Sequence, residues 1–279
     1  MNWTDRDEAV FEQLEEWRQS FLEYEATDFE NSIDKWMDKA FSLLPEELQT
    51  QFFSKLDNWL FHMNSLLRES RIQEEAGNRI MTAARAFHPA VGSLEDLKSL
   101  SIDQLTFMAE QHAARHRLYS LAQGGMAGSG RKVFAASDYL ALMVINLRAI
   151  QVIAMTFGNP VQSPKGLLET LKVYHVATMP ERLKMFGWEE LMDDLNKKDE
   201  EFYFDVPDPL SDHTWIDEPL KQLFKLGLIT SISRKKEKLP LLAMAVGAGV
   251  NYRTTRKVTD FAIKYYQYKH LWEKSGETG

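Results

Sequence analysis

Two glycine-rich apolar segments constrain the fold of this chain more than any other feature of its sequence. The first covers residues 123–157 and the second covers residues 239–256. Each places glycines and other small residues beside a long apolar stretch, and small residues allow two helix backbones to approach closely. A few polar side chains interrupt both segments where a plain hydrophobic core would have none. The pattern predicts close helix packing, or a tight turn between two helices, at these two places.

Apolar residues recur at helical spacing along nearly the whole chain. Behind Thr4, a predicted N-cap, they are Val10, Leu14, Trp17 and Phe21. Further helix starts are predicted from capping patterns at Thr27, Pro45, Ser93, Ser101, Ser163 and Pro180. The sequence therefore predicts an all-α fold, in which buried glycine-flanked central helices form one compact domain.

This domain is expected to have two parts, an acidic N-terminal helical layer over residues 1–100 and a helical core over residues 101–279. The polar stretch around Gly77 is expected to break or kink a helix, and the last helix is expected from about Thr254 to Trp272. Residues 197–214 are expected to form a long loop. No strand alternation is clear, and short strands are considered only at residues 201–206 and 228–233.

Charge is distributed unevenly along the chain, whose formal net charge is -8. Residues 1–50 contain 14 acids and 4 bases, which argues against a nucleic-acid partner there. Residues 231–257 contain 7 bases and 1 acid, and a basic cluster precedes the second apolar segment. This cluster is Arg234, Lys235, Lys236 and Lys238. We interpret it as a contact patch for an anionic lipid surface or an acidic partner, with a solvated loop as the alternative.

Residues 133–157 of the first segment are long enough to cross a membrane, but their polar residues argue against a span. Asp138 and Arg148 are ionisable, and two such groups in one span are costly unless they face a protein interior. We therefore expect a buried core helix, and the alternative is a helical hairpin that touches the membrane surface. The chain has no cysteine, which excludes disulfides, thiolate zinc sites and a cysteine nucleophile. The expected location is the cytoplasm, with peripheral attachment to the inner face of the cell membrane as a further expectation.

Asp138, Arg148 and Gln151 are polar residues on a helix that is expected to be buried. Each needs a partner, because an unpaired buried charge is costly. The predicted partners lie in the second glycine-rich segment, where the polar candidates are Asn251, Arg253 and Arg256. One interpretation is a buried network that fixes the helix register, and the other is a polar pocket for a ligand or head group.

His112 and His116 stand four residues apart, so they share one helix face and are a candidate metal pair. The residue after His112 is Ala113, so the glutamate of an HEXXH motif is missing. Glu110 and Asp138 are the candidate third ligands. The alternative is that both histidines pack between helices, and no cofactor is predicted.

Several short motifs connect the two glycine-rich segments to a known family. They are the Gly124–Gly130 cluster, Asp138 with its Leu-rich helix, Arg148-Ala149-Ile150-Gln151, Gly158, Pro160, Leu239-Pro240, Gly247, Gly249, Asn251, Tyr252 and Arg256. In these motifs the chain resembles the EcsC family of bacterial proteins, over residues 113–179 and 238–271. The resemblance implies an association with an ABC transporter, because the family is named for an operon that encodes the transporter's ATPase and membrane subunits. It implies no catalytic residue.

The leading functional hypothesis is a non-catalytic accessory protein that acts through a membrane protein or an anionic lipid surface. The first alternative is a helical protein that binds a lipid or another small ligand. The second is a metal-dependent hydrolase that uses His112 and His116. An ATP-binding motif is missing from the sequence, so the chain is not expected to be a transporter motor.

Overall fold

A computed structural model describes residues 3–25, 70–128, 135–196 and 240–276. Within these ranges the chain forms α-helices and two short 3-10 helices without a β-strand, which confirms the predicted all-α fold. The α-helices are α1 (Asp5–Leu22), α2 (Ser70–Phe87), α3 (Ile102–Gly128), α4 (Ala135–Thr156), α5 (Pro164–Thr178), α6 (Lys184–Asn196) and α7 (Pro240–Ser275). The 3-10 helices, Glu95–Ser99 and Glu181–Leu183, precede α3 and α6.

Some sequence predictions fall outside these ranges. They are the helix starts at Thr27 and Pro45, the loop over residues 197–214, the strands over residues 201–206 and 228–233, and the basic patch of Arg234, Lys235, Lys236 and Lys238.

Local capping defines several helix starts, as the sequence predicts. At α1, the Thr4 side chain accepts a hydrogen bond from the Asp7 backbone N–H, and the Asp7 carboxylate accepts one from the Thr4 backbone N–H at 2.8 Å. Ser101 and Gln104 exchange the same pair of bonds ahead of α3. Ser163 Oγ accepts from the backbone N–H three residues later, at the start of α5. These bonds satisfy N–H groups that a helix start leaves without an intrahelical partner.

The 36-residue helix α7 is the central element of the fold. Its contact with α3 is more extensive than the contact between any other two described helices. The prediction that the last helix begins near Thr254 was wrong, because α7 already begins at Pro240 and runs through the second glycine-rich segment. Glycines inside a helix cost about 1 kcal/mol each relative to alanine. Close packing against α3 compensates for that cost at one of them, Gly247.

The two glycine-rich segments meet where α3 crosses α7. A Cβ placed on Gly124 would lie 2.4 Å from the carbonyl oxygen of Gly247 and 2.7 Å from Nδ2 of Asn251. Real Cβ atoms do not come so close to a backbone atom, so this crossing requires glycine on α3. The expectation of close helix packing at the glycine cluster is therefore confirmed.

The expected break near Gly77 was also wrong. Helix α2 continues from Ser70 to Phe87 without interruption. A Cβ on Gly77 would lie 3.5 Å from the terminal methyl group of Met155, so this glycine lies against α4. Tertiary packing overrides the low helix propensity of a single glycine here.

An aromatic cluster joins the N-terminal helix to the rest of the core. Trp188 on α6 is fully buried and meets Trp17 of α1 edge-on, with ring centroids 5.3 Å apart. It meets Phe261 and Tyr268 of α7 in the same way. Such contacts add about 0.5–1.5 kcal/mol each beyond the buried area. Helix α1 therefore shares one core with α6 and α7.

Candidate functional site

A polar pocket of about 230 Å³ lies between α2, α3 and α4. Each helix contributes side chains at three- and four-residue spacing, which places them on one face. The lining residues are Gln73, Glu75, Ala76 and Arg79 from α2, His112, Arg115, His116 and Tyr119 from α3, and Ile145, Arg148, Gln151, Val152 and Met155 from α4.

The lining changes in character from the inner end of the pocket to its mouth. Ala76, Val152 and Met155 are buried and give the inner end an apolar surface. Arg79 and Arg115 are exposed and stand at the mouth. Arg148 is half-buried between these two zones, so it borders a polar pocket rather than a dry core.

Positive charge dominates the lining. Arg79, Arg115 and Arg148 supply three guanidinium groups, and Glu75 is the only carboxylate among the lining residues that the structure describes. The Glu75 carboxylate pairs loosely with Arg79 at 3.8 Å, and its side chain is 72% exposed. An exposed pair of this kind contributes little attraction. The described lining residues therefore include more positive than negative side chains.

The two histidines of the pocket are held in their neutral form. Burial and the neighbouring Arg115 lower the pKa of His112 to about 4. Burial also lowers the pKa of His116, and the guanidinium groups of Arg115, Arg79 and Arg148 lower it further. An ordinary histidine pKa is near 6.5. At neutral pH neither ring adds charge to the pocket.

His112 and His116 share a face of α3, as predicted, but their surroundings do not fit a metal ion. Nδ1 of His116 lies 2.9 Å from the carbonyl oxygen of His112 and donates to it. The candidate third ligand Glu110 lies 3.3 Å from Arg117 and does not line the pocket. Within the described ranges, no three His, Cys, Asp or Glu side chains come together in a way that could hold a metal. Three guanidinium groups would also repel a divalent cation.

Gln151 supplies a buried hydrogen-bond donor to the pocket. Its side chain is 3% exposed, and its Nε2 has no hydrogen-bond partner in the described part of the chain. A buried polar group that lacks a partner costs about 1–3 kcal/mol.

A model of the EcsC protein family matches residues 8–271. The chain belongs to the EcsC family. The match begins within α1, so it includes the N-terminal helix as well as the two glycine-rich segments of this EcsC protein. No curated protein and no solved structure matches the chain at a significant level.

Three of the predicted polar residues of this EcsC protein lie at two different places in the structure. Arg148 and Gln151 line the pocket, together with both histidines. Asn251 lies at the crossing of α3 and α7, where its Nδ2 donates to Oε1 of Gln123. The prediction that Arg148 has its partner in the second glycine-rich segment stays a prediction, while the Asn251 amide nitrogen bonds to α3.

The remaining predicted residues lie elsewhere. Arg253 and Arg256 are exposed on α7, and Arg256 lies 3.6 Å from Asp260 one turn later. Neither lines the pocket. Asp138 belongs to α4, but its side chain lies outside the described part of the structure. In the described ranges, no helix has both the length and the apolar character to cross a membrane.

The sequence patterns did not indicate Arg79 and Arg115, the two arginines at the mouth of the pocket. Arg115 directly precedes His116, so the spacing of residues 112, 115, 116 and 119 could have placed it on the same face of α3. The sequence around Arg79 has no comparable spacing that would have placed this residue in the pocket. It reaches the pocket only because α2 packs beside α3 and α4.

Proposed function

We propose that this EcsC family protein is a non-catalytic accessory protein that binds a small anionic ligand in the pocket between α2, α3 and α4. One observation carries the proposal. Gln151, whose buried Nε2 has no partner among the described residues, lines the same pocket as Arg79, Arg115 and Arg148. Donors and positive charges that converge in one concave site favour an anion.

The chemistry of the residues that line the pocket supports ligand binding without catalysis. The described pocket has no Ser, Thr, Cys or Lys side chain that could act as a nucleophile. Nδ1 of His116 donates to a carbonyl oxygen of its own helix, so this atom cannot accept a proton as a general base. The metal-dependent hydrolase is less well supported, because cationic side chains surround the pair.

The wider role in this proposal comes from family membership. The protein is an accessory protein at the inner face of the cell membrane, beside the subunits of an ABC transporter or an anionic lipid surface. Ligand binding in the pocket would then affect the interaction with that partner. The basic patch of Arg234, Lys235, Lys236 and Lys238 is the proposed contact with the anionic surface.

Isothermal titration calorimetry at low ionic strength tests the binding step. The titrants are inorganic phosphate, acetate and succinate, and the variants are Arg115→Gln and Arg6→Gln. Arg6 is the matched control, because it is exposed and pairs with Asp103 away from the pocket. We expect at least one anion to bind at one site per chain and to bind more weakly to Arg115→Gln only. The proposal fails if no anion binds, or if the control loses as much affinity as Arg115→Gln.

A further inference from the structure

We propose that one end of the α3–α7 pair is a docking surface for an anionic lipid bilayer. This surface, the apolar end, consists of exposed apolar side chains from both helices. They are Leu118, Leu121 and Met126 of α3 and Val250 of α7. The inference rests on the proposed location at the inner face of the cell membrane and adds a surface that makes the contact. It does not depend on ligand binding in the pocket.

Contacts between the two helices place these side chains at one end of the pair. Gln267 donates to Thr106 near the start of α3, and Asn251 donates to Gln123 near its end. Helices α3 and α7 therefore run antiparallel, with the C-terminal half of α3 beside the N-terminal half of α7. All residues of the apolar end belong to these two halves. The fold thus brings together apolar residues that are far apart in the sequence.

The apolar side chains at this end form a group rather than isolated exposures. Leu118 is 60% exposed, Met126 is 67% exposed and Val250 is 52% exposed. Ala114 and Ala122 are also exposed, and they stand four residues before and after Leu118 on the same face of α3. Grouped exposed apolar residues mark a contact with a protein or a membrane, whereas scattered ones do not.

The segments that carry the apolar end are basic. Residues 111–137 contain 4 bases and no acid, and residues 239–259 contain 3 bases and no acid. Arg253 is exposed three residues after Val250. An anionic bilayer attracts basic residues and takes up apolar ones, so it matches this surface in both respects.

Negative charge lies toward the other end of the pair. Helix α1 contains 6 acids and 2 bases. Lys274 of α7 donates to Asp7 of α1, and the rings of Phe261 and Trp17 lie 5.6 Å apart. Helix α1 therefore lies along the C-terminal half of α7, away from the apolar end. An anionic bilayer attracts the basic segments and repels α1, which orients the protein on its surface.

A second copy of this chain fits the apolar end less well than a bilayer does. A two-fold dimer places the same surface of each copy in the contact. Two basic segments would then face each other, and like charges in an interface are costly. A bilayer of anionic lipids compensates the charge and covers the apolar side chains together.

Vesicle cosedimentation of the full chain tests the apolar residues. The vesicles contain equal amounts of phosphatidylcholine and phosphatidylglycerol. Leu118→Gln and Met126→Gln should each weaken binding roughly fivefold to tenfold, because each removes an apolar side chain that the bilayer buries. Phe107→Gln is the matched control, since Phe107 is 54% exposed but lies in the N-terminal half of α3. It should bind as the parent does, and circular dichroism checks each fold.

Two outcomes would overturn the inference and leave the proposed membrane location intact. The first is vesicle binding that neither Leu118→Gln nor Met126→Gln weakens, and the second is an equal loss in Phe107→Gln. No vesicle binding by the parent would overturn the inference together with the proposed contact to anionic lipid, while calorimetry with small anions tests the pocket separately. A dimer that dissociates in Leu118→Gln, seen by sedimentation velocity, would assign the surface to a second copy and overturn the inference.

Lipid composition and one arginine test the charge. Vesicles of phosphatidylcholine alone should bind at least roughly tenfold more weakly, since each basic residue near an anionic surface is worth about a factor of five. Arg253→Gln should weaken binding to the anionic vesicles several-fold, and Arg6→Gln, which lies on α1, should leave it unchanged. Equal binding to both kinds of vesicle would overturn the inference.

A fluorescent label detects insertion directly. The chain has no cysteine, so one introduced cysteine takes an environment-sensitive dye at a single position. The dye on Met126→Cys should show stronger, blue-shifted emission when anionic vesicles are added, whereas the dye on Phe107→Cys should not. A shift at both positions, or at neither, would overturn the inference.

Discussion

Gly124 of α3 lies directly against Gly247 of α7, so that a Cβ on Gly124 would lie only 2.4 Å from the Gly247 carbonyl oxygen. The contact positions α3, which also carries one wall of the pocket.

Gly124→Ala should destabilise the protein by about 1–3 kcal/mol, because the added methyl group forces α3 and α7 apart. Gly249→Ala is the matched control, since a Cβ there meets nothing within 4 Å. It should stabilise the protein by about 0.5–1 kcal/mol through helix propensity. Urea unfolding followed by circular dichroism measures both changes. Equal effects of the two substitutions would contradict the close approach.

Removal of Glu169 should leave the buried positive charge of Lys269 without its partner. Lys269 donates to both oxygens of the Glu169 carboxylate at 2.7 and 2.8 Å, and both side chains are largely buried. Glu169→Leu should therefore cost about 3–5 kcal/mol, and the double variant with Lys269→Met should recover most of the loss. The exposed pair of Arg6 and Asp103 is the control, and Asp103→Asn should cost less than about 1 kcal/mol. A loss in Glu169→Leu as small as in this control, in denaturant melts, would show that the pair is not buried.

Acidification should destabilise the protein through buried histidines such as His270. Burial lowers the pKa of His270 to about 4, with a smaller contribution from Lys274 and Lys98 that Glu273 and Asp7 oppose. Because the folded pKa lies below the unfolded value near 6.5, this stability is complete above pH 6.5 and is lost as the pH falls toward 4.

The His270 contribution can be isolated with His270→Leu. Between pH 6.5 and 5 the parent should lose about 1–2 kcal/mol more of its unfolding free energy than this variant. Denaturant melts at several pH values supply the comparison. Over this range most carboxylates stay ionised, so identical slopes for both proteins would count against a buried neutral His270.

His112→Gln and His116→Gln should each change stability by about 1–2 kcal/mol, as expected for partly buried side chains that pack and hydrogen-bond. Elemental analysis of the purified protein should find no stoichiometric metal, because guanidinium groups surround the pair. A metal present at one per chain and lost in either variant would instead support the hydrolase alternative.

The protein should leave membranes in high salt or alkaline carbonate, as a peripheral protein does. This expectation rests on the ionisable residues Asp138 and Arg148 within the apolar segment over residues 133–157. Fractionation of cell membranes with immunodetection provides the measurement. Release by detergent alone would require a membrane-embedded segment.

Local interactions explain which parts of the fold could be predicted from the sequence. The capping bonds of Thr4 with Asp7 and of Ser101 with Gln104 join residues three apart, so the sequence alone specifies them. The buried α4 was predictable for a similar reason, because its apolar residues cover nearly every face. Both features depend on neighbours within a few turns of the same helix.

Tertiary packing decided the pocket and the exact course of the long helices. Arg79 and Arg148 lie 69 positions apart in the chain and line one pocket only because α2 packs beside α4. The polar stretch around Gly77 was expected to break or kink a helix, yet Gly77 lies inside the continuous helix α2, since packing against α4 offsets the weak helix propensity of glycine. Helical periodicity specifies which face of a helix is buried, but the partner of that face depends on contacts between distant segments, which periodicity does not encode.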